Sequence, residues 1–214
     1  MTHNENDRVT VLLVDDHAVV REGYRRLLER HGDIVVIGEA GDATEAHALF
    51  CKLAPQIVIM DITLPGISGI EAMRRMLAHK PDTRTLIFSM HEDAIFARRA
   101  LEAGAFGYLT KASAPGVLVE AVHTVARGKK YLSAAIAQAL ALRDTTFDQS
   151  ASGGLSAREF EVLRQLAQGQ SIREIALAMG LNPKTVSNHQ SVIRQKLGAD
   201  SAMQLLSIAK KLGL

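Results

Sequence analysis

Tryptophan is missing from these 214 residues, and cysteine occurs once, at Cys51. A single cysteine forbids an internal disulfide and fits a reduced, cytoplasmic compartment. Its place in an apolar helical stretch marks it as a buried, inert thiol. No run approaches the about 18 consecutive apolar residues of a membrane span. The opening Met1–Arg8 is polar and lacks the apolar core of a signal peptide. There is no Gly-rich phosphate loop, and without Trp few rings can stack on a flavin, which counts against a flavodoxin-like cofactor protein. Repeats and extended low-complexity tracts are absent too.

What is present is a globular composition, 47% hydrophobic, with a formal net charge of +2. That charge is unevenly placed. Leu155–Leu214 carries eight Lys/Arg against four acids, or +4, which leaves 17 bases and 19 acids, or −2, for the rest. An acidic front and a basic back read as two domains, the second facing a polyanion.

From Val9 to about Arg127 strand and helix patterns alternate. Strand-like runs are Val9–Val14, Ile34–Gly38, Gln56–Met60, Thr85–Ser89 and Phe106–Leu109, with helix-period segments such as Ala18–His31, Ala43–Leu53, Ile70–His79 and Asp93–Ala103 between them. Strict alternation predicts a doubly wound α/β fold with five parallel strands. Two runs stop at acid, Val9–Val14 at Asp15-Asp16 and Ile57–Met60 at Asp61, 46 positions after Asp15. The C-terminal rim of such a sheet is where ligands bind. Ser89 ends the fourth run, and Lys111 follows the fifth by two residues. Three converging acids repel one another unless a hard cation such as Mg²⁺ neutralises them. With a hydroxyl and an amine beside them, they form a pocket suited to a metal and a phosphoryl group together. A strand-end Asp is more often a cap, and a Lys there is usually solvated; the weight lies in all five groups sharing one rim.

The series Asp15-Asp16, Asp61, Ser89, Tyr108, Lys111 resembles the receiver domain of bacterial two-component response regulators over about Val9–Arg127. The resemblance implies that Asp61 accepts a phosphoryl group from a histidine kinase. Asp16, Asp61 and the Thr63 backbone carbonyl would hold Mg²⁺, with Asp15 acting mainly through water. Lys111 would pair with phosphoryl oxygens, while Ser89 moves to bond them and lets Tyr108 turn inward. Thr63 and His91 would flank the path of the hydrolytic water. Many receivers have Pro after the Lys; here it is Ala112.

The segment after Arg127 reads as a connector, residues 129–154, with a helix over Ser133–Arg143 and a Thr/Ser/Asp/Gly-rich linker over Asp144–Gly154. Residues 8–128 form the first domain and 155–214 the second. The second is all helix. Ser156 and Glu159 make a capping-box pattern. Ser171–Met179 is a short helix ending at Gly180, and Asn182-Pro183 then starts another. Helix, Gly-containing turn and helix is the helix-turn-helix pattern. At about 100° per residue, Val186, Ile193 and Leu197 fall on one side of the last of these helices. Lys184, Ser187, Asn188, Ser191 and Gln195 fall on the other, short and polar without acid, as a major-groove surface should be.

Leu155–Leu214 is similar to the LuxR-type DNA-binding domain, through Leu155-Ser156-Ala157-Arg158-Glu159, Lys184-Thr185-Val186-Ser187-Asn188-His189 and Lys196-Leu197-Gly198. Joined to a receiver, it is identified as a NarL/FixJ-type response regulator. The resemblance implies that Ser187, Asn188 and Ser191 face base edges and that Lys184, Thr185, His189 and Arg194 approach phosphates. It implies paired half-sites of double-stranded DNA, a homodimer on phosphorylation and RNA polymerase as partners, with no membrane. Two rivals differ in class. An Asp-nucleophile phosphohydrolase would carry a second acid two residues after the nucleophile, where this chain has Thr63. A ligand-sensing LuxR-type regulator has no need of the acid pair, Ser89 and Lys111 together.

Overall fold

The structure is a computed structural model and describes residues 8–30, 32–92, 94–144, 155–212 and 214. The opening polar residues 1–7 and the linker core 145–154 lie outside the described residues. The chain divides into two compact units, Met1–Ala141 and Leu142–Leu214.

In the first unit the elements are β1 (Val9–Val14), α1 (Ala18–Glu29), β2 (Ile34–Ala40), α2 (Ala43–Leu53), β3 (Ile57–Met60), α3 (Gly69–His79), β4 (Arg84–Ser89), α4 (Ala94–Glu102), β5 (Gly107–Thr110), α5 (Pro115–Ala126) and β6 (Tyr131–Leu132). The next helix, α6, runs Ala134–Asp144. The sheet is wholly parallel in the order β2-β1-β3-β4-β5-β6. The central strands are buried on both faces, which is why they read as unbroken apolar runs. Val11, Leu13, Ile57, Ile59, Leu86, Phe88 and Leu109 form one side's core with Leu118, Val122 and Val125 of α5.

Five strands were expected and six are found. The sixth is two residues long, Tyr131 and Leu132, paired with Gly107 and Tyr108. Two residues carry no period, so the sequence places them in the connector. Tyr131 N donates to Phe106 O at 3.0 Å and Ser133 N to Tyr108 O at 3.2 Å. Gly107 permits the approach: a Cβ there would stand 2.6 Å from Tyr131 O.

Cys51 is also a correction, being exposed rather than buried. The buried face of α2 is Ala43, Ala46 and Phe50, and one further residue turns about 100° away from it.

The second unit contains α7 (Ala157–Ala167), α8 (Ile172–Met179), α9 (Pro183–Leu197) and α10 (Ala202–Lys211). Ser156 and Glu159 close the expected capping box, and Ser171 with Glu174 closes a second. Gly180 ends α8 in the left-handed conformation at φ 64°. Glu159 also bonds Lys196 Nζ at 2.8 Å, tying α7 to α9. Burial alone would raise the Glu159 carboxyl, but Lys196 and the Ser156 donors outweigh it and hold it below the usual range. Among the described residues no helix is long and apolar enough to cross a membrane.

Candidate phosphoryl pocket and DNA-facing helix

Strands β1, β3, β4 and β5 all end on one rim, and each delivers a polar group to it. Asp15 is 2% exposed, Asp61 4% and Ser89 0%, each the residue at or just past a buried strand. Lys111 Nζ bonds Asp15 Oδ2 and also Asp61 Oδ2, the latter at 2.6 Å. Burial alone would depress the Lys111 ammonium. The two carboxylate acceptors and their charges more than offset that and hold it above the ordinary lysine value. Asp61 Oδ1 accepts from Thr63 N at 3.2 Å, and Asp15 Oδ1 accepts from His17 N at 2.9 Å.

Asp16 stands at the mouth of the pocket, more exposed than Asp15, and lies 2.7 Å from His17 Nδ1. Three carboxylates against one ammonium leave a net charge of about −2, from hard oxygen donors on adjacent strand ends; that donor set suits a divalent hard cation. The residues present therefore fit Mg²⁺.

The expected switch residues are joined by bonds. Thr63 Oγ1 lies 3.3 Å from His91 Nε2, and the His91 ring stacks on Phe96 with centroids 4.2 Å apart. His91 N donates to Ser89 Oγ at 3.4 Å, and Tyr108 OH donates to His91 O at 2.8 Å. The Tyr108 ring is already inside, fully buried; rotamer choice is invisible in a sequence.

Two contributors escaped the sequence reading. His17 follows the acid pair directly and engages both acids. Gly69, the first residue of α3, donates its N–H to Ile62 O at 2.9 Å. A Cβ on it would stand 1.8 Å from Asp61 O. The glycine thus lets α3 start against the strand end that bears Asp61. Nothing in the sequence spacing marks Gly69 as a close contact.

On α9, Val186 and Ile193 are wholly buried while Leu197 is half-exposed. Lys184, Asn188, Ser191 and Gln195 are exposed; Thr185, Ser187 and His189 are half-exposed. Asn182 Oδ1 caps the helix by accepting from Lys184 N at 2.9 Å. Ser191 Oγ donates to Ser187 O at 3.1 Å, which leaves its lone pairs outward. Arg194 is half-exposed, and its guanidinium donates to Ala199 O at 3.2 Å and to Asp200 O.

Comparison with known proteins agrees across both units. The family described as response regulator receiver domain matches residues 11–123. The family described as bacterial regulatory proteins, luxR family, matches residues 154–209. Response regulator UvrY of Escherichia coli strain K12 is 35% identical over 208 residues, 96% of this chain and 95% of that protein. A LuxR-family two-component response regulator from Aurantimonas sp. SI85-9A1 has 47% identity and a TM-score of 0.63, over 64% of this chain and 99% of that one. RcsB from Salmonella enterica serovar Typhimurium, bound to promoter rprA in the presence of phosphomimetic BeF3-, has 25% identity and a TM-score of 0.77, over 95% of this chain and 98% of that one. The chain therefore belongs to the NarL/FixJ-type two-component response regulators, phosphorylation-controlled transcriptional regulators in which a receiver precedes a LuxR-type DNA-binding domain.

Proposed function

We propose that Asp61 is the phosphoacceptor of this regulator, within a receiver spanning residues 8–128, and that α9 reads DNA from a domain spanning 155–214. The observation that carries the reading is Lys111 Nζ held between the carboxylates of Asp15 and Asp61 at one sheet rim. An Asp61 oxygen attacks the phosphorus of a phosphohistidine on the cognate kinase. The P–N bond breaks, an acyl phosphate P–O bond forms, and the leaving imidazole takes a proton from water. Asp15, Asp16, Asp61 and the Thr63 carbonyl would hold Mg²⁺, which when bound neutralises charge on the phosphoryl oxygens. Lys111 supplies a second positive charge to the same oxygens.

Thr63 and His91, bonded to each other, flank the acceptor and set how long the phosphoryl group survives. Ser89 and Tyr108 carry the change outward through their shared contact, His91. The chain acts as a stoichiometric acceptor rather than a turnover enzyme, because Thr63 occupies the place where a phosphohydrolase keeps its second acid. Phosphorylation favours a homodimer on paired half-sites, in the cytoplasm, and so acts on RNA polymerase. The promoter-bound RcsB relative supports this reading of the DNA-binding half.

The test is acetyl phosphate with Mg²⁺ on the full chain. Wild type should gain one acid-stable, base-labile label, dimerise further and bind half-site DNA more tightly. Ser89→Ala should still take the label but show a smaller rise in both responses. If labelled wild type binds DNA no better than unlabelled, the coupling is wrong; a full response from Ser89→Ala would route it elsewhere.

On α9 two kinds of contact should fail differently. Asn188→Ala should cost about 1–3 kcal/mol on the cognate site and relax preference at one base pair, if Asn188 reads adenine. Lys184→Ala should weaken binding to all sequences alike and lower the salt slope by about 1 per protomer. Site selection and salt titration on both variants decide it. An unchanged selected site for Asn188→Ala moves the readout to Ser187 and Ser191.

A further inference from the structure

Away from the acidic rim, the outer faces of α2 and α3 bring together three side chains that the phosphoryl pocket does not use. His47 and Cys51 are four residues apart on α2 and so share one helix face. Cys51 Sγ lies 3.7 Å from His47 Nε2. His79, the last residue of α3, places its ring 6.1 Å from that of His47 at an interplanar angle of 71°. All three residues are exposed.

We propose that His47, Cys51 and His79 form a surface site for a borderline or soft metal ion of the Zn²⁺ class, with a water as fourth ligand. The spacing of Cys51 and His47 carries this. Bonds of about 2.3 Å to sulfur and 2.05 Å to imidazole nitrogen, at a tetrahedral angle, separate the two donors by about 3.6 Å. The observed separation of 3.7 Å matches that bite. Two imidazoles on one tetrahedral ion have ring centroids about 5 Å apart. The donor atoms of the three residues do not all lie within 4.8 Å of one another. His79 therefore has to swing its ring nitrogen in by more than about 1 Å, and as an exposed residue at a helix end it has the side-chain freedom to do so. Thiolate and imidazole are the ligand types that select Zn²⁺, Co²⁺ or Cu⁺ over Mg²⁺, so the site is chemically separate from the carboxylate pocket. On binding, the Cys51 thiol gives its proton to solvent as the metal–sulfur bond forms. The ion then pins α2 to α3.

Co²⁺ titration of the reduced full-length protein tests it, because Cys51 is the sole cysteine and any thiolate-to-cobalt charge-transfer absorption must report it. One equivalent should bring up that band, and Zn²⁺ should bleach it. Cys51→Ser should abolish it, and His47→Ala and His79→Ala should each weaken Co²⁺ binding by about tenfold or more. Asp61→Asn should leave the band unchanged. Absence of a charge-transfer band, or a band indifferent to either histidine substitution, overturns the proposal.

Discussion

Asp61→Asn should take up no phosphoryl group from acetyl phosphate under conditions in which the wild type is labelled once. The amide keeps the shape of the carboxylate, but its single oxygen can replace only one of the two Asp61 acceptors, Oδ1 for Thr63 N or Oδ2 for Lys111 Nζ, so one of these hydrogen bonds is lost. It also loses the anionic nucleophile, without which no acyl phosphate forms. Folding should not suffer, because the change removes one of three mutually repelling acids in a pocket that Lys111 neutralises only in part. Intact mass before and after treatment reads the result directly, with thermal unfolding as the check on integrity. Equal labelling of the variant would place the acceptor on another carboxylate and remove the basis of the proposed mechanism.

Gly69→Ala should be the most destabilising single methyl that can be added near the site. Its Cβ would stand 1.8 Å from Asp61 O and 2.9 Å from Met60 Cγ, and the nearer atom is backbone, which no rotamer change can move. Overpacking in well-filled interiors costs about 1–3 kcal/mol, and a clash with main chain belongs at or beyond the upper end. Relief requires α3 or the Asp61 peptide to shift, so the phosphorylation rate should fall along with stability. Gly23→Ala is the matched control. It lies within α1, where a new Cβ meets nothing within 4 Å. Trading helical Gly for Ala there should stabilise by up to about 1 kcal/mol. Urea unfolding of the two variants should therefore move in opposite directions. A Gly69→Ala midpoint level with wild type would show that α3 has slack at its start.

Legibility followed physical signal. β1 was readable to the residue, because five apolar residues and Thr10, the last four of the strand buried, end at two acids. The pocket was readable because each strand's last polar residue falls on the same rim once the sheet is parallel. The helix caps of the second unit were equally plain, since Ser156, Asn182 and Gly180 act on their own neighbours. What failed depends on through-space facts. β6 is too short to have a period. Gly69 matters because of Asp61, eight residues earlier and close in space but not in pattern. Cys51 sits one residue beyond the buried Phe50, and the apolar average of the segment concealed that turn. Tyr108 can point either way without changing the sequence.

The pairing of β6 with β5 also decides how the chain leaves the receiver. Residues 131–133 are stitched to Phe106 and Tyr108 by two backbone bonds. At about 1 kcal/mol each, these two alone cost about 2 kcal/mol to peel away, on top of the β5–β6 ladder pairing, so the detached form is populated at most at about one part in thirty. The strand carrying Tyr108 and the outgoing segment thus travel as one body, and a displacement of β5 reaches the start of α6 with no slack joint in between.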